Sequence, residues 1–273
     1  MFTKLLKREW KASFKLMSIM SLAVLGVSVL EAVVLRMLIG GSRSLVSSMV
    51  EGTLVSLMLF LSLAIVAYAI GVQIFLIVRF YKNKFTDEGY LTFTLPVSSQ
   101  NIFLSSLLNM VIWTVISGIV TALCIAIVIG GGTMGFVDAR IWEFLWDGIV
   151  EVFEFNAELI GGSYWPLMII GGIVGLFSGP VLTMTAFTLG AVIAKKHKIV
   201  LSLVMIYAIS MASSIATAIL MEFVGAAMIG TSMDQATLTL QITYYIEVFL
   251  QIAMMIGGYI LSVWLMKNKL NLA

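Results

Sequence analysis

Residues 102–130 read IFLSSLLNMVIWTVISGIVTALCIAIVIG, a passage without a single Asp, Glu, Lys or Arg. The hydrocarbon core of a bilayer is about 30 Å thick, and an α-helix crosses it with roughly 20 apolar residues. This passage exceeds that length. Five other stretches do the same: residues 17–38, 54–78, 164–193, 199–229 and 244–266. Lipid offers no partner to a free backbone N–H or C=O, so spans of this kind must be helical. A transmembrane barrel would need short strands of alternating polarity, and these runs do not alternate. The sequence therefore predicts an all-α polytopic membrane protein with six transmembrane helices, organised as a single transmembrane domain over 1–273. Composition agrees. Hydrophobic residues make up 61% of the chain and charged residues 11%, against about a quarter charged in soluble proteins, and the mean hydropathy is +1.10.

The basic region before the first span is long, and no A-x-A site follows the apolar run, so the start does not read as a cleaved signal peptide. The one cysteine, Cys124, lies in the middle of the third span, which excludes an intrachain disulfide. One histidine and one cysteine leave little for a transition-metal site, and no metal is expected.

Basic residues set the orientation. Lys4, Lys7, Arg8, Lys11 and Lys15 precede span one, and Arg79, Lys82 and Lys84 follow span two. Lys195, Lys196 and Lys198 separate spans four and five, and Lys267 and Lys269 follow span six. Thirteen of the 16 Lys and Arg thus fall on one side, which the positive-inside rule makes cytoplasmic, with both termini inside. A multi-pass protein of the cell membrane is expected.

Residues 2–15 carry Phe2, Leu5, Leu6, Trp10 and Phe14 on one helical face and the five basic residues on the other. That pattern predicts a separate N-terminal amphipathic helix lying in the inner interface, with membrane lipids as its partner. On the outer side, residues 138–160 hold Glu143, Asp147, Glu151, Glu154 and Glu158 at steps of 4, 4, 3 and 4, which puts them on one face of an amphipathic outer helix. The face reads either as a solvated surface or as a cation-attracting lid. In span four, Gly171, Gly175 and Gly179 form a G-x-x-x-G-x-x-x-G row followed by Pro180. Glycines four apart let another helix approach closely, so the row predicts tight packing within the chain or between chains, and Pro180 predicts a kink.

The chain has no G-x-x-x-x-G-K-[ST], no H-E-x-x-H and no G-x-S-x-G, so it is not expected to be an enzyme, to bind a cofactor of its own or to contact nucleic acid. Four ionisable residues lie within spans: Glu31, Arg36, Glu222 and Glu247. All fall in the outer third of the expected topology. A charge near mid-membrane costs at least about 2.5 kcal/mol, so such residues either snorkel to the interface or face a partner or a water-filled cavity. Glu31 and Arg36 are five apart, about 140° around the helix, and are poor mates for each other. In the second case Glu31, Glu222 and Glu247 would line an outer vestibule that favours cationic or amphipathic cargo.

The longest polar passage on the basic side is Arg79–Gln100, RFYKNKFTDEGYLTFTLPVSSQ. Thr86 followed by Asp87 and Glu88 reads as an N-cap with two carboxylates in the first turn. A short helix over 87–93 is expected, stopped by Pro96, with Ser98 or Ser99 capping the third span. Tyr90, Phe93 and Leu95 place apolar side chains where solvent alone gives no reason for them. With this segment and the order of spans in hand, the chain resembles an ABC-2-type permease, the transmembrane subunit of a bacterial ABC exporter. Phe80–Val97 is similar to the segment after span two in many such permeases from Gram-positive bacteria. The resemblance implies that Thr86, Asp87, Glu88, Gly89, Tyr90 and Phe93 form a coupling helix against a separate ATP-binding cassette subunit. It also implies two such subunits per complex, ATP and Mg bound on them alone, and a second permease chain, identical or related. The long outer-facing segment 131–163 departs from sugar-exporting members and leaves antimicrobial peptides, drugs and lipid-like amphiphiles as cargo classes. A stand-alone secondary transporter or channel, or a non-transporting membrane scaffold, remains as the other reading of the same composition.

Overall fold

A computed structural model of the chain describes residues 2–40, 45–86, 97–133, 164–194, 197–226 and 233–268, together with Glu143, Trp146, Asp147, Gly148, Val150, Glu151 and Glu154. Every long regular element among the described residues is an α-helix: α1 (Phe2–Gly40), α2 (Leu45–Phe85), α3 (Ser99–Thr133), α4 (Tyr164–Ile193), α5 (Lys198–Ala226) and α6 (Met233–Asn268). All six are long and apolar enough to cross a membrane. Phe60, Phe223 and Phe249 are each about 70% exposed or more on the chain. Such surface is ordinary against lipid and costly against water.

The first helix differs from expectation. Residues 2–15 are not a separate helix, because α1 runs unbroken for 39 residues, about 58 Å at 1.5 Å per residue. Neither glycine nor proline lies between Phe2 and Leu25, so nothing in the backbone forces a break at the junction near Lys15. The basic residues Lys4, Lys7, Arg8, Lys11 and Lys15 are exposed, as the amphipathic pattern requires. Part of the aromatic face has a protein partner. Trp10 stacks on Trp113 of α3 with ring centroids 4.8 Å apart, and Phe14 lies 6.3 Å from the same ring. The Trp113 indole N–H donates to the Ser13 hydroxyl at 3.0 Å.

Local chemistry explains the other ends. Ser98 caps α3: its carbonyl accepts from the amides of Asn101 and Ile102 at 3.0 and 3.2 Å, and its hydroxyl accepts from Asn101 N–H at 3.4 Å. At the close of α2 the Thr86 hydroxyl donates to the Lys82 carbonyl at 2.5 Å. Lys82 and Lys84 occupy that last turn, where the helix dipole favours cations.

The chain divides into two compact units. One comprises Lys7–Leu76 and Ile112–Glu151, and the other comprises Met1–Leu6, Ile77–Val111 and Val152–Ala273. The first is tied together by polar contacts between helices. Ser21 and Tyr68 share a hydrogen bond at 2.8 Å, and the Gln73 amide donates to Thr114 at 3.3 Å. In the second, α4 packs against both α5 and α6. Val181, Met184, Ala186 and Phe187 are buried there, and Tyr81 and Phe103 meet Phe187 and Tyr259 edge-on. Small residues set the approach. A Cβ at Gly190 would stand 2.6 Å from the backbone N and Cα of Ser202, and one at Gly258 would stand 2.9 Å from the Thr185 hydroxyl. The Ser262 hydroxyl donates to that same Thr185 oxygen at 2.9 Å. Close approach of this kind is how helices gain contact in lipid, where burial of apolar surface gives no drive.

Candidate functional site

In the first unit, Met17, Val24, Ser28, Glu31 and Ala32 are all buried. Their steps of 7, 4, 3 and 1 keep them on one stripe of α1, the stripe that faces its neighbours. Glu31 is thus carried into the protein by helical periodicity, and at 2% exposed it does not snorkel to an interface. Across from it, Ser62 on α2 donates a hydrogen bond to Glu31 Oε1. The same hydroxyl lies 3.0 Å from the Met58 carbonyl. The second carboxylate oxygen, Oε2, is buried and has no hydrogen-bond partner among the described residues. Cys124 of α3 is fully buried beside Ser28 and Glu31. A cavity of about 380 Å³ opens at this point, with Glu31, Ser62 and Thr121 as its polar lining and aliphatic side chains of α2 and α3 as the rest.

The other membrane carboxylates behave differently. Glu222 on α5 is exposed, and Glu247 on α6 is half-buried in a crevice with Thr217, Leu220 and Thr243. Both belong to the second unit, whereas Glu31 belongs to the first. Arg36 is exposed while Glu31 is buried, in keeping with their wide separation around α1.

The glycine row in α4 packs only in part. A Cβ at Gly171 would stand 3.0 Å from the Tyr244 ring, but one at Gly175 or Gly179 would meet nothing within 4 Å. The row is therefore not a continuous seam within this chain. The seams lie instead at Gly190 and Gly258, which no glycine spacing in the sequence marks out. Pro180 is buried, and the helix assignment continues through it. Gly179 and Thr183 face Ser210, Ser213 and Ser214 across a crevice of about 300 Å³ between α4 and α5.

Of the expected coupling residues, Thr86 is half-buried at the end of α2. Asp87, Glu88, Gly89, Tyr90 and Phe93 lie outside the described residues, as does Glu158 of the outer acidic row. Glu143, Asp147, Glu151 and Glu154 are described, helical and exposed. His197 is exposed between α4 and α5. Among the described residues no three His, Cys, Asp or Glu side chains converge on one point.

Ser62, Thr121 and Cys124 escaped the sequence reading. A hydroxyl or thiol within a span carries no hydropathy signal, and such groups usually bond back to their own helix. Only the placement of Glu31 opposite them gives them a role. The chain matches no family model, no curated protein and no solved structure.

Proposed function

We propose that the chain is the membrane permease subunit of an ATP-driven exporter of the ABC-2 type. What supports this reading is the polar segment 79–100, which runs from the last turns of α2 to the first turn of α3 on a chain of six span-length helices whose sequence holds no phosphate loop. A protein of this composition has helices to move and no chemistry to move them with. Thr86–Tyr90 and Phe93 would dock in a cleft of an ATP-binding subunit, and ATP bound there would draw paired permeases toward an outward-open state. Pairing with a second permease chain is supported by α5, where Ser202 is the only buried residue among those described, and by the open face at Gly175 and Gly179. Of the membrane carboxylates, the buried Glu31 would give the cargo route its acidic character. The acidic row Glu143–Glu154 would attract cations to the outer surface.

The test is a double substitution, Asp87→Lys with Glu88→Lys, in the chain co-expressed with an ATP-binding cassette subunit that co-purifies with it from the native host. Loss of chain-dependent ATP hydrolysis with an unchanged thermal unfolding profile is the expected result. A double variant that stimulates hydrolysis as the parent does would refute the coupling role.

A second reading, an ion-coupled transporter, draws on Glu31, since a buried carboxylate inside a span is the usual mark of a coupling site. Transport by the chain reconstituted alone, without an ATP-binding subunit, would favour that reading.

A further inference from the structure

Glu31 poses a problem of charge. A carboxylate taken out of water costs several kcal/mol unless it is paired and hydrogen-bonded. Its Oε1 has Ser62, but its Oε2 has no partner. The nearby hydroxyls cannot supply one. Each carries a single proton, and the Ser28 and Thr121 protons are already given to the carbonyls of Leu25 and Ser117, both at 2.8 Å. Among the described residues no Lys, Arg or His lines the cavity beside Glu31. The remaining lining is aliphatic, and Val66, Ile70 and Ile125 are each about half exposed, so the cavity opens sideways. Its volume of about 380 Å³ lies at the lower end of the range of pockets that hold small organic ligands, about 300–1,000 Å³.

We propose that the Glu31 cavity is a binding site for a small amphipathic molecule with one protonated amine. With the carboxyl group turned toward the cavity, the ammonium would donate to Glu31 Oε2, supplying both the missing hydrogen bond and the missing countercharge, while its apolar body would lie along Val66, Ile70 and Ile125. Anionic amphiphiles are repelled by the same carboxylate, and neutral ones gain nothing from it. Dicationic ones leave a second charge against aliphatic side chains. This goes beyond the permease reading, because binding to the chain requires neither ATP nor a partner subunit. Only the statement that the amine is cargo rests on that reading.

The experiment uses the full chain in lipid nanodiscs, with tritiated propranolol as a single-amine probe and empty discs as the blank. Saturable binding is expected, displaced by unlabelled propranolol and not by its neutral analogue in which the amine nitrogen is replaced by oxygen. Glu31→Gln keeps the shape of the side chain and an acceptor for Ser62, and is expected to weaken binding about tenfold or more, as losing one partner of a buried charge pair does. Ala69→Phe fills the cavity from its α2 wall and is expected to abolish binding. Glu222→Gln and Glu247→Gln are expected to leave it unchanged. Equal binding by Glu31→Gln, or equal displacement by the neutral analogue, overturns the proposal. So does an effect of Glu222→Gln as large as that of Glu31→Gln. Binding seen in phosphatidylglycerol discs but lost in phosphatidylethanolamine discs would assign the cavity to a lipid ammonium and would also overturn it. ATPase coupling enters none of these readouts, so the failure of one proposal leaves the other standing.

Discussion

Residues of the same type have different weights in this chain, and their neighbours decide which. Gly190 and Gly175 both sit in α4, fifteen positions apart, with the same intrinsic cost to a helix of about 1 kcal/mol relative to alanine. At Gly190 a side chain would collide with the backbone of Ser202, which cannot rotate away. Gly190→Ala is expected to cost about 1–3 kcal/mol through overpacking, read as a lower thermal midpoint in detergent. Gly175→Ala meets open space and is expected to leave the midpoint unchanged or slightly raised. Equal losses at the two sites would show that the α4–α5 seam is not where the structure puts it. The carboxylates follow the same rule. Position in the sequence puts Glu31, Glu222 and Glu247 alike in outer membrane thirds. Only Glu31 is buried, because it alone falls in register with Val24 and Ser28 on an inward stripe. That register was legible in α1; the presence of Ser62, thirty-one residues away, was not.

At the scale of elements, hydropathy finds the apolar centre of each helix and underestimates the length of α1, α2, α3 and α6. Residues 54–78 became Leu45–Phe85, and 244–266 became Met233–Asn268, because a helix once nucleated gains one hydrogen bond for each residue added and so continues through polar residues, even Ser, Thr and Asn of modest propensity. The same logic joins residues 2–15 to span one. Leu16 lies inside the continuous helix, and proline there would remove a hydrogen bond and clash with the carbonyl of Ala12. Leu16→Pro is expected to destabilise the chain by about 3 kcal/mol or more, seen as a lower thermal midpoint and lost helicity by circular dichroism. A tolerated proline would mean that the amphipathic segment moves independently of the span. The glycine face of α4 makes the opposite kind of prediction. A Cβ at Gly175 meets nothing within 4 Å, so with Gly175→Leu the monomer is expected to fold normally while chemical crosslinking between copies falls. Undiminished crosslinking would remove that face from the permease pair.

At the scale of the whole molecule, the charge distribution makes a statement about sides that surface chemistry can check. His197 and Asp147 are both exposed, and the positive-inside rule would put them on opposite sides of the membrane. Native Cys124 is fully buried and leaves the background low. With Asp147→Cys, an impermeant maleimide is expected to label intact cells; with His197→Cys, labelling is expected only after permeabilisation. The reverse pattern would invert the topology and place segment 79–100 beyond the reach of ATP. The number of span-length helices, their apolar centres and the two faces of the N-terminal segment were legible in the sequence itself, because hydropathy, helical period and the backbone's need for hydrogen bonds in lipid are local quantities. The burial of Glu31 against Ser62, the unpartnered oxygen it keeps, and the choice of Gly190 and Gly258 over Gly175 and Gly179 as packing seams were decided only in three dimensions. Each of these depends on which residue of another helix arrives opposite, and no local pattern encodes that meeting.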